Sequence, residues 1–315
     1  MPAKGTHLEK PAPPLPDLLS IGLDTAPDER AVVSAVRDMT WAELDREASV
    51  IGAAYLGLGL EPGDRVASLM PNRIDLLIHY LACFKAGLVV TPLNYRYTFR
   101  EIDHALEVSG ASMLLAHAER AEDLASSRLV PGLEKGTITH GGEASDGAIR
   151  FETLLGGPVP DHPFPDCDPD SAAAIFFTSG STGPAKGVTH SNYSLRWMIA
   201  SARAAFDLTA DDAFLPGSSM SHIGSFLWAL STLAVGGRVI LARTFDSHEI
   251  LPLLREHEPT VIAMVPAALM ALVRDHDLEP GDFSSLRVCR SGSDSVSAEL
   301  LIEHESSTTH KKSIL

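Results

Sequence analysis

Ten consecutive residues, Thr178 to Gly187, read TSGSTGPAKG and combine four small hydroxyl residues, three glycines and one lysine. Because glycine lacks a Cβ, backbone N–H groups in such a loop can turn toward one point and closely approach an anion. The hydroxyl groups add hydrogen-bond donors, and the lysine adds a compact positive charge. The stretch predicts a polyphosphate-binding loop with these candidate contacts: Thr178, Ser179, Gly180, Ser181, Thr182, Gly183 and Lys186.

Two other interpretations of this loop fit the residues less well. A Walker A loop needs the pattern GxxxxGK[ST], whereas here Gly180 is followed five positions later by Ala185, and Lys186 precedes Gly187. A generic P-loop kinase or NTPase is therefore disfavoured. A flexible Gly/Ser linker is also disfavoured, because the loop lies between an apolar strand pattern at 172–178 and a helical pattern at 191–206.

The elements that must position this loop alternate between short β-rich runs and helical periodicity. Strand patterns such as AVVSAV, LVVTPL, RVILA and TVIAMVP are separated by amphipathic segments. Thr40 with Glu43, and Thr98 with Glu101, have the spacing of a helix capping box, and Gly110 marks a helix end. Strands separated by helices imply parallel pairing, so we predict an α/β fold with helices covering two stacked lobes of largely parallel sheet.

The domain prediction divides the chain where its composition changes. Residues 1–16 are Pro-rich and predict a flexible lead-in, and residues 304–315 lack a periodic apolar face and predict a disordered tail. Between 117 and 168 the sequence becomes rich in Gly, Pro and polar residues, which indicates a seam. We therefore predict a first lobe over 17–160 and a second, truncated lobe over 168–303 that carries the loop.

Composition excludes several classes of protein. The formal net charge is −16, so general binding to nucleic acid or to anionic lipid is disfavoured, and attraction to phosphate must be local. The three cysteines are widely spaced and predict no disulfide framework, which indicates a reducing, cytoplasmic location. No stretch approaches the roughly 18 uninterrupted apolar residues of a membrane span.

The residues just described resemble the adenylate-forming superfamily, which includes acyl-CoA synthetases and peptide-synthetase adenylation domains. TSGSTGPAKG is similar to the family signature [ST]SG[ST]TGxPKG, with the proline displaced to Pro184 and Lys186 in register. The likeness continues in the blocks at 39–45, 59–72, 83–102 and 259–273. The form PLNYR at 92–96 favours an acid–CoA ligase over a peptide-synthetase domain.

The resemblance implies a two-step reaction. A carboxylate attacks the α-phosphorus of ATP to give an acyl-adenylate and pyrophosphate, and the acyl group then passes to coenzyme A. It also implies that the loop holds the β- and γ-phosphates and that Mg²⁺ bridges phosphate oxygens. The small-molecule partners are then a carboxylic acid, ATP and coenzyme A. The same resemblance assigns an acyl and adenine pocket to His222, Ser291, Gly292 and Ser293. The large apolar side chains of Phe226 and Trp228, on the helical pattern that follows His222, are instead predicted to pack in the core.

The likeness also has departures. The segment SGSDSV at 291–296 replaces an SGGAPL-like turn, and it places Asp294 beside the implied acyl site. The family's aromatic-Gly-x-Thr-Glu element and its small C-terminal domain with a catalytic lysine have no counterpart among these 315 residues. We therefore expect a truncated ligase of fatty-acid-metabolism type with weak or no turnover and no catalytic residue retained. The alternative is a non-enzymatic, vestigial chain with residual ATP binding at most.

Overall fold

A computed structural model describes residues 10–144, 147–178 and 183–292, together with the backbone of residues 313–314. The ten α-helices of these residues, α1 to α10, are Ser20–Thr25, Trp41–Gly57, Ile74–Lys85, Phe99–Ser109, Ala121–Ser126, Phe151–Leu155, Asn192–Ala205, Ile223–Leu233, Ser247–His257 and Pro266–Val273. The fourteen strands of the same residues, β1 to β14, are Arg30–Ser34, Asp38–Thr40, Arg65–Leu69, Val89–Pro92, Met113–His117, Thr137–His140, Ile149–Arg150, Ala172–Thr178, Lys186–Ser191, Ala213–Gly217, Arg238–Leu241, Val261–Met264, Val288–Ser291 and Ser313–Ile314.

The strands form two seven-stranded sheets. Sheet I has the order β7-β6-β5-β3-β4-β8-β9, and sheet II has the order β14-β13-β12-β10-β11-β1-β2. Neighbouring strands run parallel except for β8–β9 in sheet I and β1–β2 in sheet II, which are antiparallel edge pairs. The predicted α/β class with two largely parallel, helix-covered sheets is confirmed.

Sheet membership cuts across the predicted lobes at 17–160 and 168–303. Strands β1 and β2 come from the first of these segments but pair with β11 in sheet II. Strands β8 and β9 come from the second but pair with β4 in sheet I. These are pairings between residues far apart in sequence, and local composition contains no signal for them.

At both ends of the described chain, individual residues make contacts that the sequence patterns do not predict. Within the predicted flexible lead-in, Leu15 is buried, and the guanidinium of Arg196 donates to the carbonyl of Ala12 over 2.8 Å. Within the predicted disordered tail, Ser313 and Ile314 form β14, which pairs in parallel with β13. Backbone hydrogen bonding to a neighbouring sheet edge needs no periodic apolar pattern, so the sequence does not reveal this strand.

The predicted helix boundaries are confirmed at several ends. At the start of α2, the hydroxyl of Thr40 accepts from the backbone N–H of Glu43, and the Glu43 carboxylate accepts from the N–H of Thr40. At the start of α4, the Glu101 carboxylate accepts from the backbone N–H and the hydroxyl of Thr98. Gly110 ends α4 with a φ of 61°, a conformation that favours glycine.

An aromatic cluster joins the two sheets. Phe226 on α8 is buried, and its ring contacts Phe176 of β8 with centroids 4.9 Å apart. Tyr80 and Phe84 of α3 contact the same ring at 5.1 and 6.2 Å. The Asn72 side chain binds the backbone of Ser218 and of Met220, at 3.1 and 2.8 Å. Helices α3 and α8 therefore form the core between the sheets, as predicted for Phe226.

A buried carboxylate ties together the amino ends of three strands of sheet II. Asp212 precedes β10, is 3% exposed, and accepts from Nε of Arg287, which precedes β13, over 2.6 Å. The hydroxyl of Thr260, which precedes β12, donates to the same carboxylate and accepts from the N–H of Ala213. This network sets the register of β10, β12 and β13, whose opposite ends line the candidate site.

Candidate functional site

The glycine-rich loop joins the two strands of an antiparallel hairpin. Thr178, the last residue of β8, lies directly opposite Lys186, the first residue of β9. Directly opposite residues of an antiparallel pair project on the same face with Cβ atoms about 4.5–5.5 Å apart. Both residues are exposed, as is Gly183. The hairpin therefore presents a hydroxyl and an ammonium side by side. Ser179, Gly180, Ser181 and Thr182 lie outside the described residues.

The structure corrects one expectation about the surroundings of this loop. The sequence patterns predict a strand, the loop and then a helix over 191–206, and α7 forms at Asn192–Ala205, but the strand β9 between the loop and this helix was not predicted. Residues 186–191 include the β-branched Val188 and Thr189, and they lie at the exposed edge of sheet I. The positive end of a helix dipole therefore does not follow the loop directly, so attraction for an anion must come from loop N–H groups, hydroxyls and Lys186.

Helix α4 holds the second arm of this hairpin. Nε2 of His104 donates to the carbonyl of Ala185 over 2.8 Å. One residue beyond Lys186, Gly187 packs so closely that a Cβ there would lie 3.0 Å from Cγ2 of Ile175. The lysine is thus flanked by two points at which the hairpin backbone is fixed.

We expect His104→Leu to loosen the hairpin without unfolding the protein. Loss of one hydrogen bond of about 0.5–1.5 kcal/mol should speed amide exchange in residues 183–188 by roughly 2- to 12-fold. His104→Gln retains an N–H donor and should restore most of the protection. Glu107→Leu, an exposed change on the same helix, is the control. If amide exchange in His104→Leu were unaltered, the hydrogen bond from His104 to Ala185 would not be what holds the hairpin.

A second feature lies at the carboxyl ends of β10, β12 and β13. Gly217, Met264 and Ser291 end these strands and are aligned across the sheet. Beyond them is a cavity of about 250 Å³. Its lining combines two serines, two glycines, three residues around the end of β12, an indole and a guanidinium, from the following residues: Ser218, Gly224, Ser225, Trp228, Ala263, Met264, Val265, Arg290 and Gly292. We call it the strand-end cavity.

The residues assigned to an acyl and adenine pocket occupy different places around this cavity. Gly292 lines it, and Ser291 is buried beside it with an Oγ that makes no hydrogen bond to a described residue. His222 is exposed and precedes α8 as its N-cap residue, outside the set that lines the cavity. Neighbouring protein atoms desolvate its imidazole and lower its pKa. Ser293 lies outside the described residues.

Some cavity residues were not singled out from the sequence. Trp228 was expected in the core, and it does pack against Phe206 with centroids 4.6 Å apart, but it also lines the cavity. The Arg290 guanidinium carbon lies 4.7 Å from the centroid of the Trp228 ring and 5.4 Å from that of Phe206. The sequence feature that could have identified Arg290 as a cavity residue is its position directly before the Ser291–Gly292 turn.

Other predictions concern the whole chain. Among the described residues, no helix is long and apolar enough to cross a membrane. Of the three cysteines, Cys167 is half-buried. Cys83 and Cys289 are buried.

Comparison with protein families gives one match that covers nearly the whole chain. A family described as AMP-binding enzyme matches residues 22–312. A feruloyl-CoA synthase from an Amycolatopsis species is 34% identical over 293 residues, which are 89% of this chain and 56% of that protein. The fatty acid–[acyl-carrier-protein] ligase ScoC of Streptomyces coeruleorubidus is 32% identical over 281 residues, 88% of this chain and 53% of that protein. The chain spans about half the length of these curated relatives.

Solved structures share the fold. The anthranilate CoA ligase AuaEII, solved with anthranoyl-AMP, superposes with a TM-score of 0.86 at 20% identity, over 95% of this chain and 58% of that one. MatB from Rhodopseudomonas palustris, solved with ATP bound, gives a TM-score of 0.82 at 26% identity, over 94% of this chain and 58% of that one.

Proposed function

Because the chain belongs to the AMP-binding enzyme family, we propose that it is the nucleotide- and acid-binding part of an AMP-forming acid–CoA ligase. The observation that carries this proposal is the hairpin, which places the exposed Lys186 opposite Thr178 at the mouth of the glycine-rich loop. The proposed reaction joins a small carboxylic acid to ATP, releases pyrophosphate, and transfers the acyl group to the thiol of coenzyme A. A feruloyl-CoA synthase among the relatives supports this class of product.

The chemical difficulty of the first step is that a carboxylate and a polyphosphate repel each other. In the proposed complex, the Lys186 ammonium and the loop N–H groups neutralise the β- and γ-phosphates and orient the α-phosphorus toward the acid. The proposed contacts are Thr178, Ser179, Gly180, Ser181, Thr182, Gly183 and Lys186. Residues 178–191 contain no Asp or Glu, so this segment would hold Mg²⁺ through the phosphate oxygens and not by a carboxylate of its own.

The strand-end cavity is the proposed site for the acyl or adenine group. At about 250 Å³ it is slightly smaller than the ~300–1,000 Å³ of drug-sized pockets, so one planar ring system fits and a whole nucleotide does not. Trp228 and Met264 supply apolar contacts, and Ser218 and Ser225 supply hydroxyls. Ser291, Gly292 and Ser293 would form the turn beside it, and His222 would approach from the loop before α8.

The shape of the cavity can be tested at Gly224, where a Cβ would meet no other atom within 4 Å. Gly224→Leu should fold normally, narrow the cavity and weaken binding of a sulfamoyl-adenosine analogue of feruloyl-adenylate by about 10-fold or more. Calorimetry would measure the dissociation constant. Gly281→Leu is the matched control, since Gly281 also faces open space and does not line the cavity. If Gly224→Leu and Gly281→Leu bound the analogue with equal affinity, the acyl or adenine group would not bind in this cavity.

Activity separates this proposal from the non-enzymatic alternative. For the 315-residue chain we propose ATP binding with weak turnover, in a cytoplasmic setting and in fatty-acid or related acid metabolism. Carboxylate-dependent exchange of pyrophosphate into ATP that exceeds background and disappears in Lys186→Ala would support the enzyme. Saturable ATP binding without exchange would support a binding chain. Absence of both would overturn the proposed function.

A further inference from the structure

A third site lies away from the hairpin and the strand-end cavity, between the two sheets. It is a cavity of about 210 Å³ at the carboxyl ends of β1, β3 and β11. Arg37 reaches it from the β1–β2 turn, Arg243 from the end of β11, and Arg73 from the start of α3. Two acidic residues, Asp75 and Glu249, also line it. We call it the seam cavity.

The two acids of the seam cavity already accept hydrogen bonds. Asp75 accepts from Arg37 over 2.9 Å, and its second oxygen lies 3.5 Å from Nε2 of His140. Glu249 accepts from the backbone N–H groups of Arg243 and Thr244. Both carboxylates therefore have hydrogen-bond partners within the protein.

Two of the three arginines are also paired. Arg37 bonds Asp75 and, at 3.3 Å, Glu47, and Arg243 bonds Glu119. Arg73 differs: its Nε is shielded from solvent and makes no hydrogen bond to a described residue. A partly desolvated guanidinium without an anion is costly, because its charge favours water or a partner.

We propose that the seam cavity binds a phosphate group, with Arg73 as its principal donor and the paired guanidinium groups of Arg37 and Arg243 beside it. A guanidinium matches the oxygens of phosphate in bidentate geometry, and Arg73, which lines the cavity, can donate to such a ligand. The volume corresponds to about seven waters at ~30 Å³ each, which suits one phosphate with part of its hydration shell and excludes a nucleotide. Because its three arginines come from both sheets, the bound phosphate would bridge them.

The test uses the full chain and inorganic phosphate, with chloride at equal ionic strength as the reference. Calorimetry should show saturable phosphate binding that weakens about 10- to 100-fold in Arg73→Met and partly recovers in Arg73→Lys. Arg128→Met, whose side chain is 89% exposed, should bind like the wild type. Lys186→Ala should bind inorganic phosphate like the wild type, which separates this site from the proposed nucleotide loop.

Two further arms identify the source of the phosphate. If ribose 5-phosphate competes with inorganic phosphate, the cavity is open enough to take the phosphate group of a phosphate ester. If it does not compete, the ligand is the free phosphate ion. The proposal is overturned if the wild type shows no saturable binding, if Arg73→Met binds with unchanged affinity, or if Lys186→Ala alone removes the binding.

Discussion

Replacement of Lys186 by alanine should weaken the binding of MgATP by about 10- to 100-fold. A hydrogen bond between a charged donor and a phosphate contributes about 1.5–3 kcal/mol, and Lys186 is the lysine of the loop in a protein with a net charge of −16. Equilibrium dialysis or calorimetry would measure the dissociation constant. The free energy of unfolding should hardly change, since Lys186 is exposed at a strand end.

Lys135→Ala provides the matched control for this substitution. Lys135 pairs with Glu134 at 3.1 Å, away from the hairpin, and its loss should leave ATP affinity as in the wild type. If Lys186→Ala and Lys135→Ala bound ATP equally well, the hairpin would not be the phosphate site. The proposed phosphate contacts of Thr178 to Gly183 would then be wrong as well.

Asp212→Asn should lower the free energy of unfolding by about 3 kcal/mol at neutral pH. The substitution leaves the Arg287 guanidinium and the Thr260 hydroxyl facing an amide, and breaking one partner of a buried ion pair typically costs about 3–5 kcal/mol. We take the lower end because the Arg287 side chain is 38% exposed. Urea unfolding, monitored by circular dichroism, would measure this loss in the free energy of unfolding. Asp211→Asn, on the exposed neighbour, should change stability by less than about 0.5 kcal/mol.

The effect of Asp212 should depend on pH with a defined sign. Burial by itself raises the pKa of the Asp212 carboxyl, but hydrogen bonds from Arg287, Thr260 and the N–H of Thr209 outweigh it and hold the pKa below its usual range. Stability from this group is then complete above the unfolded pKa, about 3.9, and is lost as pH falls toward the folded pKa. The difference between wild type and Asp212→Asn should be constant from pH 5 to 8 and shrink below about pH 4. A difference that grew in acid would contradict this assignment.

Local signals in the sequence predicted the local structure well. Thr40, Glu43 and Gly110 were assigned helix-end roles from spacing alone, and the structure confirms all three. Such features depend on contacts within four residues, so a single sequence contains the information needed. The buried Phe226 was predicted for a similar reason, since an apolar helix of this kind has few exposed positions.

The sequence did not predict strand pairing and contacts between segments that are far apart along the chain. Strands β8 and β9 join a sheet made mostly of earlier residues, and β14 pairs with β13 although its surroundings lack an apolar pattern. In the candidate site, His104 lies 81 positions from Ala185, the residue that it holds. Arg290 contacts Trp228 through a sheet-to-helix contact. Each of these depends on the folded arrangement of distant segments, which propensity and spacing do not encode.

The most direct measurement is hydrogen–deuterium exchange of the peptide that contains residues 178–188, with and without ligands. MgATP and magnesium pyrophosphate should both protect this peptide, because each supplies the phosphates that the loop is proposed to bind. Adenosine at equal occupancy should leave it unprotected, and Lys186→Ala should abolish protection by pyrophosphate. Protection by adenosine alone, or none by MgATP at saturation, would contradict the central claim that this hairpin binds the phosphates of the nucleotide.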